Sequence, residues 1–400
     1  MRTVLLDPEG RAALQEVSVP ALQGGDLLVD MKACGVCGSD LEKIRGGYTA
    51  APPVLGHEAV GVVREVGEGV AGIREGDRVF PHHHVPCYDC AYCAAGSETM
   101  CGDYRRWHLD PGGFSDTFRV PAWNVEKGGV LRLPNGLSFD DATFIEPLAC
   151  CIRALDRFHV PRGGTILIAG AGPMGLLTLQ LLPFYGAGSV LVSEVSPYRT
   201  RHAKRLGART VDPQTGDLEK AVRSATEGRG VDLAVVASSS PKALSQALES
   251  TRDGGSLGLL GIPEAGASLP DVSRVLTREL SIVGSNAATE RETRRALEML
   301  SEGAIQVRLV EEFGVIQTIH TATADAVEFV QREIPEKYFP PGYEEGDHWG
   351  TAFYGNLVHD FCEEILSGDE RNQGDFAQSA RVQEIINAVA LSHRERRWVD

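Results

Sequence analysis

Roughly the first 150 residues alternate short runs of apolar and polar positions, and glycine turns separate these runs. The pattern is clearest in four segments: LLVDMKACGVCG from Leu27, GHEAVGVVREVGEGV from Gly56, IREGDRVF from Ile73 and GGFSDTFRV from Gly112. Alternation with a period of two is typical of strands that bury one face. The pattern therefore predicts a β-rich, barrel-like domain.

The pattern changes at Pro161, where the apolar runs become continuous and alternate with helical stretches. The segment PRGGTILIAGAGPMGLLTLQLL combines a turn, an apolar strand, a glycine loop and a helix. Four more apolar runs follow, SVLVSEV, VDLAVVAS, GSLGLLGI and LSIVGSN, with the helical patterns RTRHAKRLGA, LEKAVRSA and PKALSQALES between them. Buried strands that alternate with helices predict a doubly wound parallel sheet. The expected fold class is therefore α/β, with a β-rich domain followed by this sheet.

Composition and charge narrow the classes of partner. The 400 residues are 42% hydrophobic and carry a formal net charge of −16. An acidic chain is poorly suited to nucleic acid or anionic membranes, and no stretch approaches the roughly 18 apolar residues of a membrane span. The first residues, MRTVLLDPEGRAALQEV, lack the pattern of a secretory signal. We expect a cytoplasmic protein that binds small molecules and forms a homo-oligomer, a dimer or tetramer.

The glycine loop after the first apolar strand of the sheet predicts a dinucleotide site. It matches GxGxxG and continues into a helix, with the residues Gly170, Gly172, Pro173, Met174 and Gly175 as candidate cofactor contacts. Glycines allow the close approach of a pyrophosphate, and the helix N-terminus supplies free N–H groups.

An acidic residue at the end of the next strand bears on the choice of dinucleotide. Glu194 can accept hydrogen bonds from ribose hydroxyls and would repel a 2′-phosphate, which favours NAD over NADP. Ser193 and Arg199 flank it, and an arginine is the residue that a 2′-phosphate would attract. NADP therefore remains the alternative.

Four closely spaced cysteines predict a structural zinc site. Cys87, Cys90, Cys93 and Cys101 are separated by gaps of two, two and seven residues. In a chain without a secretory signal, this spacing suits a tetrahedral zinc held by sulfur better than two disulfides. All four ligands would come from the protein, which leaves no open coordination position.

A second cluster has the mixed ligands of a catalytic zinc. Cys37 precedes the GHE motif of His57 and Glu58, and Glu146 follows later in FIEPLACC. Cysteine, histidine and carboxylate ligands can leave one coordination position open for water or substrate. The alternative is a redox CxxC pair formed by Cys34 and Cys37, which would require a thioredoxin-type context.

Together these motifs resemble the zinc-containing medium-chain dehydrogenases, in particular their polyol branch of sorbitol, butanediol and threonine dehydrogenases. The resemblance covers about residues 1 to 310, and the motifs stand in the family's order: GVCGSD, GHE, GDRV, the four cysteines, GGFSDTF, IEPLAC and GAGPMG. It implies a GroES-like catalytic domain at 1–154, a Rossmann NAD-binding domain at 155–295 and a return segment to the catalytic domain at 296–337.

The resemblance also implies roles for individual residues. Cys37 and His57 are expected to be zinc ligands, and Glu58 and Glu146 to ligate the same ion or to hold its water. Ser39 lies where the family places a hydroxyl that passes the alcohol proton towards solvent. The ligand set and the proton relay are expectations from similarity alone.

Position 146 separates two branches of the family. The alcohol dehydrogenase branch has a cysteine near this position, so Glu146 makes the polyol branch the better match. Cys150 and Cys151 are then expected to be core thiols rather than ligands. Asp40 resembles an acid that supports the ligands from behind.

Several histidines and a tryptophan lie near the four cysteines without a clear assignment. Adjacent residues of an extended segment point to opposite faces, so at most two of His82, His83 and His84 can converge. A pocket-lining or surface position is the interpretation for all three, with substrate contact by one of them as the alternative. Trp107 and His108 could line the substrate cleft or pack in the core.

The last 60 or so residues depart from the dehydrogenase pattern. Lys337 stands near an expected basic position, but the chain continues, and 338–400 resemble the end of Gfo/Idh/MocA oxidoreductases, notably in HWGTAFYGNLV and QEIINAVALSHRERRWVD. The pattern predicts a helical tail, either a fusion that adds a docking surface or the product of a rearrangement. His348, His359 and Cys362 are interpreted as residues of a helical partner surface rather than catalytic groups.

The predicted function is zinc-dependent hydride transfer between a secondary alcohol of a polyol, sugar or cyclitol and NAD. Zinc lowers the pKa of a bound alcohol, so that hydride can leave for the nicotinamide, and it polarises the carbonyl in the reverse reaction. Two zinc ions per chain are expected. The alternatives are a catalytically silent nucleotide-binding subunit and a zinc-free reductase of the same fold.

Overall fold

A computed structural model describes residues 1–7, 10, 12–44, 54–264, 267–268 and 272–307. Most of the predicted return segment and the whole predicted tail, with Lys337, His348, His359 and Cys362, lie outside the described residues. Within the described ranges, no helix is both long enough and apolar enough to cross a membrane.

The strands in the described part of the chain form three sheets. Their bounds are β1 Arg2–Leu6, β2 Ala12–Glu16, β3 Leu27–Gly35, β4 Glu58–Val66, β5 Arg78–Pro81, β6 Thr117–Val120, β7 Val130–Arg132, β8 Thr165–Ala169, β9 Ser189–Ser193, β10 Arg209–Val211, β11 Val231–Val236, β12 Thr251–Leu259 and β13 Ser281–Gly284. Strands β1 and β2 form a hairpin of their own. The other two sheets confirm the predicted change of pattern along the chain.

The first large sheet is antiparallel, with the order β6-β3-β4-β5-β7. Its central strands β3 and β4 pair from Leu27↔Val66 to Gly35↔Glu58, with two register shifts between these ends. The inward side chains, among them Val29, Val63 and Phe118, form one buried cluster. The β-rich prediction for this part of the chain is therefore confirmed.

The second large sheet is parallel, with the order β10-β9-β8-β11-β12-β13. The direction of strand addition reverses at β8, because β9 pairs with one side of β8 and β11 with the other. In such sheets ligands bind beyond the carboxyl ends of the strands at this switch point. The doubly wound prediction is confirmed, and the glycine loop follows β8.

The helices cover the parallel sheet and connect it to the antiparallel one. Their bounds are α1 Gly38–Ile44, α2 Ala91–Ala94, α3 Ala122–Glu126, α4 Phe139–Thr143, α5 Ile145–Phe158, α6 Pro173–Leu181, α7 Pro197–Arg205, α8 Leu218–Ala225, α9 Pro241–Ser250, α10 Val272–Thr277 and α11 Glu290–Ser301. Helices α8 and α9 coincide with the predicted segments.

The long helices α5 and α11 pack against each other between the two sheets. One buried cluster joins residues of both sheets, from Phe80 of β5 to Ile166 and Ile168 of β8. The predicted boundaries after 154 and 295 fall inside α5 and α11. The division of the chain into domains stays a prediction.

Candidate active site

A cleft of about 960 Å³ runs between the antiparallel sheet and the carboxyl ends of the parallel strands. Nearly all the predicted catalytic and cofactor residues line it: Cys37, Ser39, His57, Glu58, Glu146, Gly170, Gly172, Pro173, Met174, Glu194 and Arg199. The exception is Gly175, which packs in the first turn of α6, where a side chain would collide with the carbonyl oxygen of Gly170. One cavity thus joins the candidate metal ligands to the candidate dinucleotide loop.

Three of the predicted ligands converge on one point. The Cys37 Sγ, a His57 ring nitrogen and a Glu58 carboxylate oxygen all lie within 4.8 Å of one another. Cys37 follows β3 and Glu58 begins β4, so the pairing of Gly35 with Glu58 brings the two strand ends together. A side chain at Gly35 would collide with the Glu58 carboxylate, which explains the glycine at that position.

Asp40 fixes the geometry of this cluster from behind. Its fully buried carboxylate lies 3.3 Å from His57 Nδ1 and accepts hydrogen bonds from the backbone N–H groups of Cys37 (3.1 Å) and Gly56 (3.2 Å). The contact at Nδ1 leaves Nε2 of His57 for a metal, as in other histidines supported by a carboxylate. Asp40 therefore occupies the supporting position that the sequence suggested.

The electrostatics of the cluster suit a cation. Burial, reinforced by the neighbouring carboxyls of Glu146 and Asp40 and opposed by His57, raises the pKa of Glu58 to about 8. Burial lowers the pKa of His57, but Asp40 and Cys37 outweigh it and hold this pKa well above the usual range. Acidic groups and a thiol crowded in a buried wall are the donor set that zinc takes with one position left open. The residues present therefore fit a catalytic zinc.

Glu146 lies on the same wall but outside the converging trio. It is in the first turn of α5, is only 5% exposed, and accepts a hydrogen bond from the Cys150 thiol at 3.3 Å. Burial raises the pKa of both Cys150 and Cys151, which favours protonated thiols. Cys151 is buried in α5, whereas Cys150 reaches the edge of the cleft.

The four cysteines form a second converging group, which we call the cysteine lobe (residues 87–104). Their sulfur atoms also lie within 4.8 Å of one another, with separations of 3.5 Å for Cys87–Cys101, 3.6 Å for Cys90–Cys93 and 4.0 Å for Cys87–Cys93. Four sulfurs about 2.3 Å from a central zinc are about 3.8 Å apart. All four thiols are free, and backbone N–H groups point at two of the sulfurs. This group therefore fits a closed, four-thiolate zinc.

The three consecutive histidines divide between two environments. His82 is buried away from the cleft, with its Nδ1 2.7 Å from Glu290 Oε1, whereas His83 and His84 line the cleft. His108 lines it too, and its Nδ1 lies 3.1 Å from His84 Nε2. Burial lowers the pKa of His83, His84 and His108, and neighbouring imidazoles lower the first two further. The part of the cleft formed by His83, His84 and His108 is therefore lined by uncharged imidazoles.

The acid at the end of β9 is held rigidly beside the glycine loop. Glu194 is 5% exposed; one carboxylate oxygen accepts from the Ala171 N–H at 2.7 Å and the other from the Ser196 N–H at 2.8 Å. Arg199, in α7, lines the same end of the cleft. The acid and the arginine therefore both face the place where an adenosine ribose would bind.

The residues after β11 and β13 were not identified from the sequence. Ser238 to Ser240 and Gly284 to Ala287 line the cleft. Their signal was available, because both segments follow the carboxyl ends of parallel strands, where ligands of doubly wound sheets bind. Glu290, by contrast, accepts a hydrogen bond from Tyr88 of the cysteine lobe, and this contact had no such signal in the sequence.

Comparison with known proteins agrees with this geometry. A sequence model of the alcohol dehydrogenase GroES-like domain matches residues 23–132, and one of zinc-binding dehydrogenases matches residues 173–302. Sorbitol dehydrogenase of Bacillus subtilis (strain 168) is 28% identical over 348 residues, which cover 85% of this chain and 97% of that protein. L-threonine 3-dehydrogenase of Pyrococcus furiosus is 34% identical over 284 residues, 69% of this chain and 80% of that protein.

A solved structure agrees as well. The protein from Sinorhizobium meliloti 1021, solved as a zinc-binding dehydrogenase bound to NADP, superposes with a TM-score of 0.68 and 32% identity over 77% of this chain and 90% of that one. The chain thus belongs to the zinc-containing medium-chain alcohol dehydrogenase family and is a zinc-dependent oxidoreductase with a nicotinamide cofactor.

Proposed function

We propose that the protein oxidises a secondary hydroxyl of a polyol, sugar or cyclitol with NAD as the hydride acceptor, and catalyses the reverse reduction. The observation that supports this most directly is the single cleft shared by the Cys37, His57 and Glu58 trio and the glycine loop. Direct hydride transfer requires the carbinol carbon to touch the nicotinamide ring, and a shared cleft allows that contact.

In this proposal Cys37, His57 and Glu58 hold the catalytic zinc, and Glu146 ligates it or orients its water. A zinc ion there would lower the pKa of the substrate hydroxyl and polarise the product carbonyl. Ser39, in α1 and on the cleft wall, accepts the hydroxyl proton and passes it towards solvent. The sulfurs of the cysteine lobe hold the second, structural zinc.

The imidazoles favour a polyhydroxylated substrate. A neutral imidazole offers one donor and one acceptor, and so matches a hydroxyl group, which also does both. His83 makes no hydrogen bond within the part of the chain that the structure describes, and its Nδ1 is buried without a partner, as is Nε2 of His108. A purely alkyl chain would cover the polar imidazole edges of His83, His84 and His108 that line the cleft without hydrogen-bonding to them, which carries a free-energy cost.

NAD is the proposed cofactor because Glu194 is fixed at the ribose end of the cleft. Its two hydrogen bonds to backbone N–H groups hold the carboxylate in place, and a fixed anion repels a 2′-phosphate. Glu194→Gln should lower the ratio of kcat/KM for NAD to kcat/KM for NADP by about tenfold, or 1.4 kcal/mol. An unchanged ratio would assign the discrimination to another residue.

We also propose a cytoplasmic homo-oligomer. Zinc sites rich in thiolate require a reducing compartment, and the eight cysteines among the described residues are all free. Among the described strands, β13 is the last of its sheet, and Val272 and Leu276 of α10, the helix that precedes it in sequence, are 66% and 80% exposed. A second copy could pair with this edge and cover these side chains. Leu276→Asp should then weaken association in analytical ultracentrifugation.

The central experiment measures NADH formation across polyols, inositols and amino alcohols, together with the zinc content. We expect turnover on a substrate with neighbouring hydroxyls and two zinc ions per chain. Cys37→Ser should abolish turnover and leave about one zinc per chain, whereas Cys151→Ala, at a buried thiol outside the trio, serves as the control.

Each outcome has one interpretation. Unchanged turnover of Cys37→Ser would disprove the catalytic zinc assignment, and one zinc confined to the cysteine lobe of the parent would indicate a silent subunit. Turnover of simple aliphatic secondary alcohols in preference to every polyol would overturn the substrate class while leaving the reaction type intact.

A further inference from the structure

The cysteine lobe contacts the rest of the protein through three side chains distributed along it, two of them at or just before the start of α11 and one at α5. Tyr88, between the first two cysteines, donates a hydrogen bond to the Glu290 carboxylate. Tyr104, which follows the last cysteine and is fully buried, donates to the carbonyl oxygen of Ala288. Glu98 is bonded to the buried Arg153 of α5 at 3.2 Å. The lobe is therefore docked onto the body of the protein by polar contacts, not only folded around its own thiols.

Glu290 joins the lobe to His82, the residue before the cleft-lining His83. Its Oε1 lies 2.7 Å from Nδ1 of His82, and its Oε2 accepts from the Tyr88 hydroxyl. Glu290 is the first residue of α11 and is only 5% exposed. Its carboxylate is therefore largely shielded from water and bonds to these two protein groups instead. His82 precedes the cleft-lining His83, and its carbonyl oxygen accepts from the Asn124 side chain at 2.9 Å. One buried carboxylate thus touches the lobe on one side and, on the other, His82, the neighbour of the cleft-lining His83.

The segment just before Glu290 lines the cleft on the cofactor side. Gly284 ends β13 and residues 285–287 follow it, and all four lie on the wall of the cavity that the glycine loop also lines. The segment is held at one end by the pairing of Gly284 with Leu259. At the other end it is held by Tyr104 and by the capping box of Thr289 with Glu292, where the Thr289 N–H donates at 2.8 Å. Glu290 directly follows the second anchor. A shift of Glu290 would therefore move that anchor and, with it, residues 285–287.

We propose that Glu290 is a positioning residue through which the cysteine lobe sets the placement of residues 285–287 and thereby the affinity for the dinucleotide. The inference uses the cofactor site of the proposed function. It gives the lobe a role in substrate turnover beyond local stability. The described contacts explain it physically, because a buried carboxylate that loses one of two donors must shift or admit water.

The lobe itself offers a matched pair of variants. Tyr88→Phe removes the hydroxyl that donates to the Glu290 carboxylate, whereas Tyr92→Phe removes the hydroxyl of a tyrosine that is 58% exposed in α2 of the same lobe. The dissociation constant for NADH is measured by fluorescence titration without substrate, and the zinc content confirms that both variants keep the parent's metal. Tyr88→Phe should weaken NADH binding about fivefold, because only part of the free energy of the lost Tyr88–Glu290 hydrogen bond is transmitted to the cofactor side of the cleft. Tyr92→Phe should match the parent.

A double-mutant cycle and a second readout complete the test. Tyr88→Phe should have little further effect on NADH affinity in a Glu290→Ala background, and Glu290→Gln should restore part of what Glu290→Ala loses. Hydrogen exchange of the peptide spanning 285–290 should be faster in Tyr88→Phe than in Tyr92→Phe, with or without cofactor.

The contrary results are equally specific. Equal NADH affinity and equal exchange in the two tyrosine variants would overturn the proposal, and so would additive effects of Tyr88→Phe and Glu290→Ala. A lower Tm in Tyr88→Phe with unchanged affinity and exchange would show a structural contact only. If the parent binds no dinucleotide, the proposed function fails, and the exchange comparison still decides whether Tyr88 positions this segment.

Discussion

The cysteine lobe and the trio of Cys37, His57 and Glu58 both fit zinc, yet they differ in ligands and surroundings. The lobe has four cysteine ligands within one short stretch of chain, and backbone N–H groups of the same stretch donate to two of their sulfurs. The trio combines three kinds of ligand from two strand ends, lines a cleft, and has further carboxyls beside it. A site that needs only to stay closed can be built locally, whereas a reactive site needs the tertiary fold.

The comparison shows that how clearly the sequence predicts a zinc site does not indicate whether that site can bind a substrate. Four thiolates satisfy zinc completely and leave no position for a substrate, so their contribution is to folding and to the placement of neighbouring segments. Three mixed ligands leave one position open, and the neighbouring cleft admits a substrate to it. Under the proposed function, the weaker sequence signal therefore marks the site of the chemistry.

The largest expected effect comes from emptying the open site alone. His57→Ala removes a ligand from the trio and should lower kcat/KM by about a thousandfold or more, because the loss of a catalytic metal removes most of the stabilisation of transition-state charge. Steady-state kinetics on the substrate found in the panel measures this, with zinc content showing one ion lost and circular dichroism showing an unchanged fold. Activity within tenfold of the parent would contradict the contrast between the two sites.

The corresponding change in the lobe should act on stability instead. Cys101→Ser removes the buried sulfur of the four-cysteine group and should cost on the order of 3 kcal/mol, since a structural zinc contributes directly to folding. Thermal denaturation measures the loss. The protein that remains folded should keep its kcat within about tenfold. An abolished kcat with an unchanged Tm would reverse the roles assigned to the two sites.

The sequence was most informative where spacing alone defines a site. The lobe and the glycine loop are local, so the positions of Cys87 to Cys101 and of Gly170 to Gly175 already contain their geometry. The trio could be proposed only by combining motifs and resemblance, because its convergence depends on the pairing of β3 with β4. The parallel sheet was readable for the same local reason as the loop, since each of its strands is a continuous apolar run.

Other features could not be read from the sequence at all. Tyr88 and Glu290 are 202 positions apart, and nothing in either neighbourhood indicates the other. Alternation limited the converging histidines among His82 to His84 to two, but it was wrong about which two can converge, because the adjacent His83 and His84 both line the cleft. That choice depends on the burial of His82 against Glu290, a tertiary contact. Glu146 shows the same limit, because its motif is clear but its position beside the trio is a matter of packing.

A change behind the open site should have an intermediate effect. Asp40→Asn keeps the size of the side chain and one acceptor for His57, but it removes the negative charge that supports the ligand. Zinc affinity of the open site should fall about tenfold to a hundredfold, as is usual for such supporting carboxylates. Competition with a chelator measures it, and Asp103→Asn, at an acid of the lobe that is paired with an exposed arginine, is the control. Equal zinc affinities in the two variants would remove Asp40 from the site.

The smallest expected effect tests how the lobe is attached. Arg153 is buried between Glu98 of the lobe, at 3.2 Å, and Glu292 of α11, at 3.7 Å. Arg153→Lys keeps the charge but cannot span both carboxylates, and should cost about 1–2 kcal/mol. Arg106→Lys, at an ion pair of the lobe whose arginine side chain is 67% exposed, should cost well under 1 kcal/mol because water screens it. Urea denaturation resolves a difference of this size. If the two substitutions cost the same, the lobe is held by its own metal rather than by buried charge, and its docking contacts matter less than the geometry indicates.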